Sequence, residues 1–83
     1  MTAPEWLSLR GGGLANGLSE RTLLMMIDGH PQFRLDVVPA KGTFTCAIVQ
    51  SNNGKRMDAC KEYSTNDAAF AGGLEELRAI LGW

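Results

Sequence analysis

Arg21-Thr22-Leu23-Leu24-Met25-Met26-Ile27-Asp28-Gly29-His30 is the stretch that decides the fold. Two readings compete for it. As a helix it would start at Ser19, place Leu23, Met26 and Ile27 on one face, and stop at Gly29 before Pro31, and Leu and Met favour that state on propensity. As a strand, Arg21–Ile27 would turn through Asp28-Gly29-His30 into Gln32–Val38. An Asp-Gly pair between two apolar runs is a hairpin signal, because both positions of a tight turn need φ > 0. The strand is the reading adopted; the helical alternative would give the element order α-β-β-β-α.

Downstream, the pattern is plainer. Phe33, Leu35 and Val37 alternate with Arg34 and Asp36, as a half-buried strand does. Pro39 is expected to end that strand and Lys41-Gly42 to turn it. Thr43–Gln50 is rich in β-branched and aromatic residues. Asn53-Gly54, read as a two-residue turn, returns the chain as Lys55–Tyr63. The two registers agree: they put Phe33, Leu35, Val37, Phe44, Ile48, Met57, Ala59 and Tyr63 on one face. Lys61 is the misfit there, and its stem would have to run past an edge.

The last segment is an amphipathic helix. Phe70, Leu74, Leu77 and Leu81 form one stripe. Ser64-Thr65-Asn66-Asp67 matches a capping box with Ser64 as N-cap and Asp67 at N3. Gly82 suits the C′ position and Trp83 the C″ position, so that Trp83 would fold back towards Leu77 or Arg78. Gly72-Gly73 in mid-helix costs roughly 1 kcal/mol per residue against alanine. Gly73 lies on the stripe and lets the helix approach the sheet. Gly72 points about 100° away and reads as a place for another backbone.

Upstream, Glu5–Leu9 alternates weakly, as a short strand would. Arg10–Gly17 holds four glycines and reads as a connector. It lacks the preceding strand, following helix and lysine that a phosphate-binding loop requires.

The expected fold is therefore α+β: an antiparallel β-meander of four strands, five if Glu5–Leu9 adds one, with one C-terminal amphipathic helix packed on one face. One domain, residues 1–83, is expected, with 1–18 partly flexible. The order α-β-β-β-α is that of double-stranded-RNA-binding domains, but Asn66-Asp67 stand where that family carries a basic cluster. The outline from Gln32 to Leu81, strand pairs leading through Tyr63-Ser64-Thr65 into an Ala-rich helix, resembles HicB-type antitoxins and many small phage proteins. That resemblance carries no sequence motif and implies topology alone.

Composition narrows function by exclusion. Eight Lys and Arg against nine Asp and Glu give a net charge of −1, without the basic excess from which nucleic-acid binders draw affinity. With 83 residues and 45% apolar content, the chain buries roughly 60–65% of its unfolded surface and gains from a partner. The longest apolar run, Leu23–Ile27, is far too short to span a bilayer. Met1–Arg10 has no signal-peptide pattern, so a cytoplasmic protein is expected. In the two-residue register Cys46 faces Lys61 and Cys60 faces Ala47, which sends the two thiols to opposite faces and leaves them free. A three-residue loop would set them opposite each other. His30, the one histidine, lies in a turn, and no metal site, cofactor or catalytic residue is expected.

The feature that asks for a function is Leu23–Ile27, apolar on both faces of a strand. One helix covers one side. The other, with Leu24 and Met26, must be covered by the N-terminal segment or by another chain. The expectation is a small protein-interaction module (an inhibitor, adaptor or antitoxin-like regulator), a homodimer, with Trp6, Leu24, Met26 and Gly72 at the interface. The alternative is a single-stranded nucleic-acid-binding dimer contacting phosphates through Arg34, Lys41, Lys55 and Arg56.

Overall fold

The computed structural model describes residues 3–17, 19–58 and 61–83. Element order is α1 (Glu5–Ser8), β1 (Gly12–Asn16), β2 (Thr22–Ile27), β3 (His30–Ala40), β4 (Thr43–Gln50), β5 (Glu62–Tyr63) and α2 (Asn66–Leu81). The strands form one antiparallel sheet in the order β1-β2-β3-β4-β5, and α2 packs across it. The α+β meander with a C-terminal helix is the fold.

The stretch that decided the reading is a strand. Asp28 and Gly29 both take positive φ, 52° and 78°, and Ile27 pairs with His30 across them. Lys41 and Gly42 do the same at 48° and 84°, with Ala40 opposite Thr43. A β-bulge falls after Met25: Met25 pairs with Phe33 but Met26 pairs with Pro31. Pro31 thus stands where a ladder donor is dispensable.

Pro39 does not end β3, which runs on to Ala40 and keeps Pro39 opposite Phe44. The Val37 N–H donates towards Arg21, so residue 39 turns its nitrogen to the same side. There β2 has already ended, and a missing N–H breaks no ladder bond.

Four further sequence expectations are corrected. Glu5–Leu9 is not a strand but carries the single turn α1, whose Leu7 and Ser8 N–H groups both donate to the Pro4 carbonyl. Burial of Leu7, 0% exposed, outweighs a weak alternation. Arg10–Gly17 is not a plain connector: Gly12–Asn16 form β1, paired along β2. Its composition disfavours a strand, and the apolar β2 ladder overrides that.

Asn53-Gly54 is not a two-residue turn. Gln50 N–H donates to the Lys55 carbonyl and Gly54 N–H to the Gln50 carbonyl, closing a loop over 51–54 in which Gly54, not Asn53, takes positive φ. The return segment touches β4 at a Val49–Arg56 bridge and again at Thr45–Glu62 and Phe44–Tyr63. Its register shifts by two residues between those points, and Lys61 is exposed. Ala59 and Cys60, assigned to opposite faces from the sequence, lie outside the described residues.

Finally, the N-cap is Thr65, whose side chain accepts from the Ala68 N–H at 3.0 Å, one residue beyond Ser64. The C-terminal end matches its pattern: Gly82 is left-handed at φ 74°, and the Trp83 N–H reaches the Arg78 carbonyl at 3.0 Å.

The core lies between sheet and helix. Leu35, Ile48 and Met25 are fully buried from the sheet, and Leu7 from α1 and Ala69, Phe70, Leu74 and Leu77 from α2 meet them. Phe44, Met57 and Tyr63 pack at its margin. Each large side chain so buried contributes about 1.5–3 kcal/mol.

Candidate functional site

The face of the sheet opposite α2 carries the two-sided strand's second set of side chains. Strand pairing lines them up in rungs. One rung runs Ala15, Leu24, Arg34, Val49, Arg56 across all five neighbouring segments. The next runs Thr22, Asp36, Ala47. Leu24 and Met26 are half-buried, and no described helix lies over them.

Each arginine on this face is tied to a carboxylate two residues along its own segment. Arg34 Nε lies 2.7 Å from Asp36 Oδ2, and Thr22 Oγ1 donates to Asp36 Oδ1 at 2.8 Å. Arg56 forks onto Asp58, with Nε to Oδ1 at 2.8 Å and Nη2 to Oδ2 at 3.1 Å. Asp58 also accepts the Ile48 N–H at 3.1 Å, and its side chain is only 1% exposed. The two arginines flank Val49, so the face has an apolar centre, two cations and two anions.

Shallow concavities open on either side of Leu24. One is lined by Asn16, Gly17, Thr22, Leu24, Arg34 and Asp36. The other runs from Leu24 and Arg34 past Val49 to Ser51 and Arg56. Both are open and mixed in polarity, a shape suited to a side chain of a partner surface rather than to an enclosed small molecule.

The expected interface residues part company. Leu24 and Met26 share the open face. Trp6 does not: α1 folds over β1 on the helix side, where Trp6 packs edge-on against Trp83 with ring centroids 6.2 Å apart, and Leu7 fills the space above Gly12. The described part of the N-terminal segment therefore does not cover Leu24 and Met26. Gly72 has an internal explanation, because a β-carbon there would strike the Tyr63 ring of the same chain. Its lack of a side chain seats Tyr63 and needs no second backbone.

The proposed phosphate contacts are also divided. Arg34 and Arg56 share a rung, and Lys55 adjoins Arg56. Lys41 sits in the turn at the far end of β3, about 23 Å of strand from Arg34, and is not part of one basic surface.

Cys46 is free and buried. Burial, reinforced by the carboxylates of Glu76, Asp58 and Asp36, pushes its thiol up to about 12, which keeps it protonated and unreactive. Tyr63 is also pushed up, by burial first and then by Glu76 and Cys46. His30 is exposed at the β2–β3 turn. Among the described residues no three His, Cys, Asp or Glu side chains converge as metal ligands, and no helix is long and apolar enough to cross a membrane.

Sequence reasoning missed Val49 and Ala15 as the centre and margin of the face. The carboxylates that neutralise its arginines are legible in the sequence, since Arg34/Asp36 and Arg56/Asp58 share one spacing of two, which in a strand places both partners on one side. No protein family model, no curated protein and no solved structure matches the chain.

Proposed function

We propose that this chain is a small protein-interaction module, an inhibitor, adaptor or antitoxin-like regulator, that docks a partner protein on the open face of its sheet and works as a dimer. The observation that carries the reading is the apolar pair Leu24 and Met26, on the sheet face that no described helix overlies. Such a patch, rimmed by charges, is the usual form of a docking surface. The free, buried thiol of Cys46 suits a reducing compartment, and we take the cytoplasm as its setting.

Magnitudes favour a reversible contact. Five strands spaced about 4.8 Å apart and averaging about six residues in length give a face of the order of 500 Å². A standard interface uses about 800 Å² per partner. A partner held by one such face alone would exchange readily.

A nucleic-acid partner fits less well. Arg34 and Arg56 each face a carboxylate at 2.7–2.8 Å, which cancels most of the field a phosphate backbone would feel. The discriminating experiment is capture on immobilised chain. Leu24→Asp should abolish retention of a partner protein that the unaltered chain holds, with little dependence on salt. Equal retention by both forms would overturn the reading, and a steep loss with rising salt would point to nucleic acid.

A further inference from the structure

The two edges of the sheet differ in kind. On the β5 side the strand is two residues long, and the Asp58 carboxylate takes the Ile48 N–H that would otherwise face outward. These are the usual guards of an edge: a short strand and a charged side chain turned onto it. Among the described residues the β1 edge has no such guard. Gly12–Asn16 contains no charge and no proline, and its pairing with β2 is continuous, without a bulge.

The hydrogen-bond phase of β1 shows which groups are left over. Asp28 N–H donates to the Gly11 carbonyl and Gly17 N–H to the Thr22 carbonyl. In an antiparallel ladder the bonded pairs alternate, so Gly13 and Ala15 face β2. Gly12, Leu14 and Asn16 turn their N–H and C=O groups outward, three donors and three acceptors, spaced evenly about Leu14.

We propose that a second copy of this chain pairs with this edge, β1 against β1 in antiparallel register, with Leu14 opposite the same residue of the second copy. In that register Gly12 meets Asn16 of the other copy at both ends. All six outward groups are then satisfied by one two-fold operation, the self-complementarity that an isologous contact requires. No shorter register uses all of them. The two-fold axis is perpendicular to the sheet, so the two helical layers fall on one side and the two open faces on the other. The paired Leu14 side chains close the seam on the helix side, where Leu14 is already half-buried. Gly13 and Ala15 leave the opposite side flat.

This pairing does not rest on the docking reading, but it bears on it. Two faces of the order of 500 Å² become one continuous surface of about 1,000 Å², enough for a standard partner.

The test is solution mass by light scattering over a range of concentrations, together with amide hydrogen exchange of the unaltered chain. The expected mass is twice the 9.0 kDa of one chain. Asn16→Pro removes one outward donor per copy while sparing the Gly13 and Ala15 bonds to β2, and should weaken the dimer at least about tenfold. Asn16→Ala keeps the donor and should leave the mass unchanged, as should Leu24→Asp on the open face. In the unaltered chain the Gly12, Leu14 and Asn16 amides should become at least about tenfold slower to exchange as the dimer forms, and this readout stands even if Asn16→Pro fails to fold. A monomer at every concentration overturns the pairing. So does a dimer whose Leu14 amide exchanges freely, or one that Leu24→Asp dissolves and a folded Asn16→Pro does not. Loss of partner capture with an intact edge dimer would count against the docking face alone.

Discussion

Gly73 sits directly on Cys46: a β-carbon at position 73 would strike the Cys46 Sγ and come within 3.3 Å of Leu35 Cδ2. Helix α2 and the centre of the sheet thus meet at a distance set by a missing side chain. Gly73→Ala gains about 1 kcal/mol of helix propensity. It also forces overlap in a packed core, which costs about 1–3 kcal/mol or more where the backbone must shift. The expected net effect is a loss of about 1–2 kcal/mol, read as a lower urea midpoint. Cys46→Ala combined with Gly73→Ala should recover part of that loss, since the Cys46 β-carbon stays within 3.0 Å, and a non-additive double-mutant cycle would show the coupling between the two positions.

At position 72 the same substitution meets the Tyr63 ring, which is only half-buried and can swing towards solvent. Gly72→Ala should therefore cost less than Gly73→Ala, and propensity can bring it close to neutral. Thermal denaturation of the two variants side by side checks the order.

Cys46 gives a stability profile with a definite sign. Its thiol is pushed from 9.0 to about 12 in the folded chain, so between those values the unfolded chain has lost a proton that the folded chain keeps. Stability is unaffected below about pH 9 and falls as pH rises towards 12, at up to about 1.4 kcal/mol per pH unit. Tyr63, also raised, adds a further decline above its ordinary value near 10. Urea unfolding from pH 8 to 11 should show the slope, and Cys46→Ala should remove its lower-pH part.

The parts legible in the sequence are those where local chemistry and tertiary pattern agree. Asp28-Gly29 and Lys41-Gly42 are dipeptides that tolerate φ > 0 at both positions, and alternation fixes which way Phe33, Leu35 and Val37 point. Phe70, Leu74, Leu77 and Gly82 mark the helix and its end for the same reason. Strand β1 was not legible, because Gly-Gly-Leu-Ala-Asn has little strand preference and is held by the free amides of β2. The Asn53-Gly54 signal misled: the Asn53 Oδ1 accepts the Lys55 N–H at 2.9 Å, which favours a wider loop. Leu24 and Met26 were recognisable as a second apolar face. Trp6 lies on the other side from Leu24 and Met26, and nothing in Glu5–Leu9 announces that α1 folds over β1 on the helix side of the sheet. Gly72 shows the limit most clearly, since a sequence reports that a side chain is missing but not what fills its place.

Asp58 ties the return segment to β4 through its bond to the Ile48 N–H, and it holds Arg56 of its own segment. Asp58→Ala should cost about 2–4 kcal/mol, because it strips an acceptor from a ladder N–H and from a charged group at once. Asp58→Asn keeps an oxygen for Ile48 and should recover about half of that. If the two variants were equally unstable, the fork to Arg56 would outweigh the backbone bond, and chemical denaturation of both separates the cases.

Trp83 closes the chain onto its beginning. Its ring meets Trp6 edge-on at 6.2 Å and 60°, and the Arg10 guanidinium lies over it at 4.6 Å. The aromatic pair is worth about 0.5–1.5 kcal/mol beyond burial, and the cation–π contact about 0.5–1 kcal/mol at such an exposed site. Trp83→Ala leaves the N–H that caps α2 on the Arg78 carbonyl, so its effect reports the ring alone. The expected loss is about 1–2.5 kcal/mol, with a red shift of Trp6 fluorescence as α1 loosens. Trp83→Phe should restore part of the stability and none of the indole-specific signal. An unshifted Trp6 spectrum in Trp83→Ala would mean that Leu7, fully buried beneath α1, holds the segment without help from the C-terminus.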